Sequence, residues 1–128
     1  MLDAALEALI HHNNFASLTT LTPAGEPQTS VMWIDCDHEH LLINTEIARA
    51  KFRNISLNPH VNVLVWEREN PYHYVEVRGL VTATTLGDRA NDHLEELARR
   101  YTGQAFAGTI ESARVIVEIT PTRTRIVD

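Results

Sequence analysis

The sequence has very little cysteine and no long apolar run. Its one cysteine, Cys36, excludes an internal disulfide and a thiolate metal cluster, which fits a reducing compartment. No window holds the ~20 apolar residues that a membrane span requires. The first residues also lack the basic region and small-residue cleavage site of a signal peptide. We therefore expect a cytoplasmic protein with no membrane partner.

Basic residues are also scarce. Eleven Lys and Arg stand against 17 Asp and Glu, for a net charge of −6. This balance argues against a general binder of nucleic acid or anionic membranes. Any phosphate site must therefore be a local basic island. The 128 residues suit one compact domain, spanning 1–128.

Hydrolytic and metal motifs are missing or weak. None of the serines lies in a G-x-S-x-G context, and Cys36 has no neighbouring base in sequence, so we predict no catalytic nucleophile. His38 and His40 lie near two aspartates, but in a turn and without a third partner of fixed geometry. We interpret this stretch as a solvated acidic loop and predict no metal site.

What is present is a series of short strands joined mostly by tight turns. Residue alternation predicts strands over 15–22, 28–34, 40–44, 61–65, 72–85, 114–120 and 122–127, with a bulge at Gly79. Apolar spacing predicts helices over 2–12, 45–57 and 88–103. Inserted rather than alternating helices favour an antiparallel sheet that closes on itself. The expected fold is mainly β, a small barrel of about six strands with three or four short helices.

The segment His40–Pro59 is the candidate phosphate site. Asn44 or Thr45 could cap a helix that opens straight off a strand, and such a helix start binds anions. An apolar arc of this helix holds Lys51, whose charge must then snorkel or meet an anion, and we favour a bound phosphate. The arc comprises Ile47, Ala48, Phe52 and Ile55, with Arg49 and Arg53 on the wet side.

These residues also carry a family resemblance. The pattern Arg49-x-Lys51-x-x-Asn54-Ile55-x-x-Asn58-Pro59, followed by HVNVLV, resembles the pyridoxamine-phosphate-oxidase-like flavin-binding split barrels. PYHYVEVRG at 71–79 and ARRYTG at 98–103 are similar to the subgroup that uses the deazaflavin coenzyme F-420. The resemblance runs from about residue 9 to residue 126. It implies a split β-barrel of the FMN-binding type.

The resemblance further implies a homodimeric oxidoreductase with cofactor sites between the subunits and a small-molecule substrate. Arg49 and Lys51 would anchor the cofactor phosphate, with Thr45 and Asn54 as hydrogen-bonding partners. Other residues would contact the ring and its ribityl chain, namely Gln28, Ser30, Val31, Ile43 and Asn44. Tyr72, Tyr74 and Arg78 would come from the facing subunit. The ring carries out the hydride transfer, so no catalytic side chain is required.

Two alternatives stay open at this point. Ala50-Lys51 stands where vitamin B6 oxidases of the superfamily carry Arg-Lys, which favours F-420, with Arg49 and Arg53 as candidates for its acidic tail. FMN is the alternative cofactor. The other alternative is a non-catalytic protein that binds a flavin or haem in the same groove, with His60 or His73 as axial ligand.

Overall fold

The computed structural model describes residues Met1–Asp128, with three helices and seven strands. The helices are α1 Ala4–His11, α2 Ala50–Leu57 and α3 Asp88–Thr102. The strands are β1 Ala16–Leu21, β2 Pro27–Met32, β3 Asp35–Cys36, β4 Leu41–Glu46, β5 His60–Trp66, β6 Tyr74–Thr85 and β7 Arg114–Val127. None of the helices is both long and apolar enough to cross a membrane.

All seven strands form one antiparallel sheet in the order β2-β1-β5-β6-β7-β4-β3. The two ends of this sheet are the same stretch of chain, because β3 follows β2 after two residues. The sheet therefore curls into a barrel that stays split, because β2 pairs only with β1 and the later part of β4 pairs only with β7. The predicted split barrel is confirmed, with seven strands rather than about six.

Alternating apolar residues on the strands fill the barrel. Val115, Val117 and Ile119 of β7 are fully buried, as their alternation predicts. The apolar side of α1 adds Leu6 and Ile10 to this core. Helix α3 instead covers the outer face of β4 and β7 with its predicted apolar stripe.

The start of the second helix differs from the sequence-based prediction. Strand β4 continues to Glu46, and α2 begins only at Ala50, with Arg49 as its N-cap. The reason is tertiary, because β4 pairs with β7 as far as Glu46 and the amide of Ile47 donates to the carbonyl of Ala113. Ile47 and Ala48 are consequently exposed turn residues, and their prediction as part of an apolar helix face is wrong.

Two other boundaries also moved. Segments 114–120 and 122–127, predicted as separate strands, form one strand, β7, across Pro121. Tyr72 lies in the turn before β6 rather than in it. The bulge at Gly79 is confirmed, because the register of β6 against β7 shifts between Arg78 and Gly79.

Candidate anion-binding site

A cleft of about 200 Å³ lies at the split between the β1–β2 hairpin and the start of α2. The hairpin contributes Gln28, Thr29 and Ser30, and the helix start contributes Arg49 and Lys51. Ala50 and Thr20 complete its lining. The family resemblance implied that four of these residues contact the cofactor, and the structure brings them together from two segments of the chain. They are Gln28, Ser30, Arg49 and Lys51.

Lys51 is half-buried at this cleft and has no anionic partner within the chain. Desolvation lowers its pKa, and the positive charges of Arg49 and Arg114 lower it further. No carboxylate acts in the opposite direction. A partly desolvated ammonium among like charges is costly unless an anion joins it. The predicted inward direction of Lys51 agrees with this burial.

The helix start adds donors to the cation pair. Arg49 makes no side-chain cap, and the backbone amides of Ala50 and Lys51 donate to no group of the protein. The first amides of a helix point along its axis and carry its positive dipole end. Two free amides beside two cations form an arrangement suited to a phosphate.

Asn54 holds the two halves of the cleft together. Its side chain is 5% exposed and its Nδ2 donates to Thr20 Oγ1 at 3.0 Å and to Gln28 Oε1 at 2.9 Å. This amide joins the second turn of α2 to both strands of the hairpin, so the position of Gln28 in the cleft depends on Asn54. Asn54 therefore positions Gln28, and it lies one turn along α2 from the free amides of Ala50 and Lys51.

Behind the cleft, Glu46 and Arg114 form a buried ion pair that sequence reasoning missed. They are register partners on β4 and β7, with Arg114 Nη1 3.5 Å from Glu46 Oε2. The other oxygen, Oε1, accepts from the amides of Ser112 at 2.6 Å and Glu111 at 2.8 Å. The Ser112 amide bond lowers the pKa of Glu46 despite its burial, and Arg114 adds to this effect. Nothing local in the sequence reveals this pair. Its two members are 68 positions apart in the chain, and only the register of β4 against β7 brings them together.

Several predicted contact residues lie outside the cleft walls. Ile43 and Thr45 are buried at 1% and 5% exposure on the core side of β4. The side chain of Asn44 turns to α3, donates to the Ala90 carbonyl at 2.9 Å and accepts from Arg114 Nε at 2.8 Å. Val31 is 65% exposed, one residue beyond the cleft. Their contacts with a cofactor stay predictions, and for the β4 residues the unpaired strand edge beside the split is the available surface.

The residues assigned to a facing subunit lie elsewhere on the molecule. Arg78 lines a cleft of about 410 Å³ on the outer face of β1, β5 and β6. Tyr74 is half-buried at the start of β6, and Tyr72 is 80% exposed in the preceding turn. Asn62, at the same outer face, has a buried Oδ1 that accepts no hydrogen bond.

The remaining titratable clusters are satisfied internally. His40 Nδ1 lies 3.1 Å from Asp37 Oδ2 and 3.5 Å from Glu118 Oε1, so Glu118 is a third partner that the sequence analysis did not find. The backbone amides of Glu39 and His40 already donate to Asp37. Burial raises the pKa of the Cys36 thiol to about 11, helped by nearby carboxylates, so it is a poor nucleophile. His73, one of the two potential haem ligands, has its Nδ1 2.9 Å from Glu67 Oε2.

Comparison with known proteins decides the family. The model of the family described as pyridoxamine 5'-phosphate oxidase matches residues 2–128. The chain belongs to this family. Its structure is similar to that of a protein named F420 reductase, at 33% identity and a TM-score of 0.84 over 98% of both chains.

Two further solved structures share the fold at lower sequence identity. A putative pyridoxamine 5'-phosphate oxidase from Listeria innocua has 22% identity and a TM-score of 0.69, over 94% of each chain. General stress protein 26 from Bacillus anthracis has 20% identity and a TM-score of 0.71, over 96% of this chain and 91% of that one. The resemblance that the sequence motifs indicated is therefore confirmed at the level of the family.

Proposed function

We propose that this protein is an oxidoreductase that binds reduced coenzyme F-420 and transfers its hydride to an unsaturated or conjugated organic substrate. The observation that carries the proposal is Lys51, a half-buried ammonium with no anionic partner, beside two helix amides that donate to nothing. These groups fit a cofactor phosphate. The 33% identity with an F420 reductase over nearly the whole chain supports the deazaflavin.

The residues of the cleft divide the work of holding such a cofactor. Lys51, Arg49 and the amides of Ala50 and Lys51 would bind the phosphate, while Gln28 and Ser30 offer neutral hydrogen-bonding groups toward the ring end. The exposed Arg49 and Arg53, one turn apart, would bind the acidic tail. The deazaflavin ring, when bound, supplies the hydride chemistry, so the protein has to anchor, orient and exclude water.

FMN is the alternative cofactor, since it carries a phosphate that the same donors would hold. The residue before Lys51 favours F-420, because Ala50 stands where the vitamin B6 oxidases carry an arginine. A non-catalytic binder of the same groove would show cofactor affinity without turnover.

The proposed active form is a homodimer with its two cofactor sites between the subunits. One protomer offers an open split, and its outer sheet face holds a second open cleft of about 410 Å³ that Arg78 lines. A second copy that covers this face would bring Tyr72, Tyr74 and Arg78 toward the other subunit's cofactor.

Cofactor titration followed by absorbance and fluorescence tests the proposal. We expect saturable F-420 binding that Lys51→Ala weakens about 10- to 100-fold, as for loss of a charge-assisted phosphate contact. The matched control is Arg89→Ala, which removes one positive charge from the exposed side of α3. Turnover with reduced F-420 and a panel of enones and quinones then tests catalysis. FMN retained through purification with no F-420 affinity would overturn the cofactor assignment.

A further inference from the structure

A third cation, Arg114, lies near the proposed phosphate site without lining its cleft. Arg114 lies behind the cleft with 10% of its side chain exposed. Its Nη1 is 3.5 Å from Glu46 Oε2, and Nη2 of Arg49 is 3.9 Å from the same oxygen. Two guanidinium groups thus share one carboxylate oxygen. Glu46 lines a neighbouring cleft of about 310 Å³, and Arg49 lines both clefts.

The two arginines are held very differently. Arg114 Nε donates to Asn44 Oδ1 at 2.8 Å, and the Asn44 amide is in turn fixed on the Ala90 carbonyl of α3. Arg49 is 66% exposed, and its contact with Glu46 is long. A contact of 3.9 Å from an exposed guanidinium contributes little to stability, so Arg49 can leave Glu46 for a stronger anion. Arg114 cannot, because strand register and Asn44 hold it in place.

Resting on the proposed function, we propose that Arg114 is a positioning residue of the anion site, and that Glu46 is the protein's own anion, which the ligand phosphate replaces as partner of Arg49. Arg114 compensates the buried charge of Glu46 in both states. Without this compensation, the Glu46 carboxylate would repel a phosphate held at Lys51 and Arg49.

This arrangement predicts effects of opposite sign from its two members. Glu46→Gln keeps an oxygen that accepts from the amides of Glu111 and Ser112, and it removes the competing negative charge. Arg114→Gln keeps a donor for Asn44, and it leaves Glu46 uncompensated. If both residues acted only as structural supports, both variants would weaken binding.

The test compares FMN with riboflavin, and F-420 with its phosphate-free deazaflavin, on the full-length protein. The ratio of the affinities for FMN and riboflavin reports the phosphate alone, whereas the F-420 ratio also includes the acidic tail that Arg49 and Arg53 would bind. We expect Glu46→Gln to raise the first ratio about three- to tenfold and Arg114→Gln to lower it by a similar factor, more strongly at low salt. The double variant should return close to the wild-type ratio, Arg114→Lys should retain most of it, and the control Arg89→Gln should leave it unchanged.

The outcomes separate this inference from the function on which it rests. If Lys51→Ala leaves the ratio unchanged, the phosphate site itself is wrong. If Lys51→Ala lowers the ratio while Glu46→Gln lowers it too or has no effect, only the roles of Glu46 and Arg114 are overturned. Should Arg114→Gln fail to fold, the rise expected for Glu46→Gln and the retention expected for Arg114→Lys still decide the question.

Discussion

Side chains between α3 and the barrel form a largely buried polar chain that ties the helix to the sheet. His93 is 2% exposed, with its Nε2 2.9 Å from Asp35 Oδ2 and its Nδ1 3.2 Å from Asn44 Nδ2. Arg100 adds an ion pair to the second oxygen of Asp35 at 2.9 Å. Through Asn44 this chain reaches Arg114, so the support of the anion site continues into the helix packing.

Asp35 gives this chain a measurable pH dependence. Burial would raise its pKa, but hydrogen bonds from His93, the Cys36 amide and Arg100 outweigh burial and lower the pKa from 3.8 to about 2. A lowered pKa stabilises the fold above the unfolded value and ceases to do so as the pH falls toward 2. Urea unfolding should show that Asp35→Asn destabilises the protein at pH 7. The difference from wild type should narrow by roughly 1–2 kcal/mol between pH 5 and pH 2.

The control for this prediction is Glu69→Gln, which neutralises an exposed carboxylate. Its free energy of unfolding should follow that of the wild type at every pH. A constant difference between Asp35→Asn and wild type across the acid range would contradict the role given to the Asp35 carboxylate.

At the scale of elements, the junction of β4 and α2 shows how pairing overrides local propensity. Asn44 and Thr45 have the chemistry of helix caps, yet both lie inside β4 because β7 pairs with that strand to its end. Glu46 reinforces the junction by accepting hydrogen bonds from residues 111 and 112. The helix therefore begins at Ala50 rather than at residue 45, after a turn at 47–49. This places Arg49 at its N-cap and Lys51 in its first turn.

The pairing of β6 with β7 depends on a glycine. A Cβ at Gly79 would lie 2.7 Å from Ile119 Cγ2 and 3.0 Å from the Thr120 carbonyl oxygen. Because the nearest groups are a core side chain and the backbone, Gly79→Ala should destabilise the protein by about 1–3 kcal/mol, measured by urea unfolding.

Gly108→Ala provides a matched comparison for Gly79→Ala. Its Cβ would approach an atom as closely, at 2.6 Å, but that atom is the tip of the Phe106 ring in an exposed loop. The ring can move aside, so we expect a change below about 0.5 kcal/mol. Equal destabilisation by the two variants would mean that the close approach of β7 to Gly79 is not the reason why Gly79→Ala is destabilising.

On the scale of the whole molecule, the outer face of β1, β5 and β6 is the surface where we expect a second copy. Leu64 is half-buried near its centre, between Ser17 and Glu76 on the adjacent strands. Wild-type protein in analytical ultracentrifugation should sediment at about twice the chain mass of 14.5 kDa. Leu64→Arg should give monomers and lose F-420 affinity, because the cost of desolvating a bulky cation in the covered face exceeds what its pairing with Glu76 contributes.

Leu86→Arg is the control for this interface prediction. Leu86 is 56% exposed in the link between β6 and α3, away from that face. This variant should sediment and bind like wild type. A monomeric wild-type protein with full cofactor affinity would contradict the proposal that the subunits share their sites.

Periodicity along the chain determined much of this protein. The alternation of Val115, Val117 and Ile119, the apolar stripe of α3 and the inward direction of Lys51 are local patterns. Each one reflects which side of an element meets water, so it could be recognised before any contact was known. The family motif between Arg49 and Pro59 likewise identified the split barrel.

Only the tertiary structure decided how distant segments meet. The start of α2 at Ala50, the pairing of Glu46 with Arg114 and the buried position of His93 all depend on the register of β4 against β7 and on α3 packing across them. Strand register joins residues far apart in the chain, and a shift by one residue would turn every side chain to the other face. The sequence therefore identifies the cations Arg49 and Lys51, and the pairing of β4 with β7 decides where they lie.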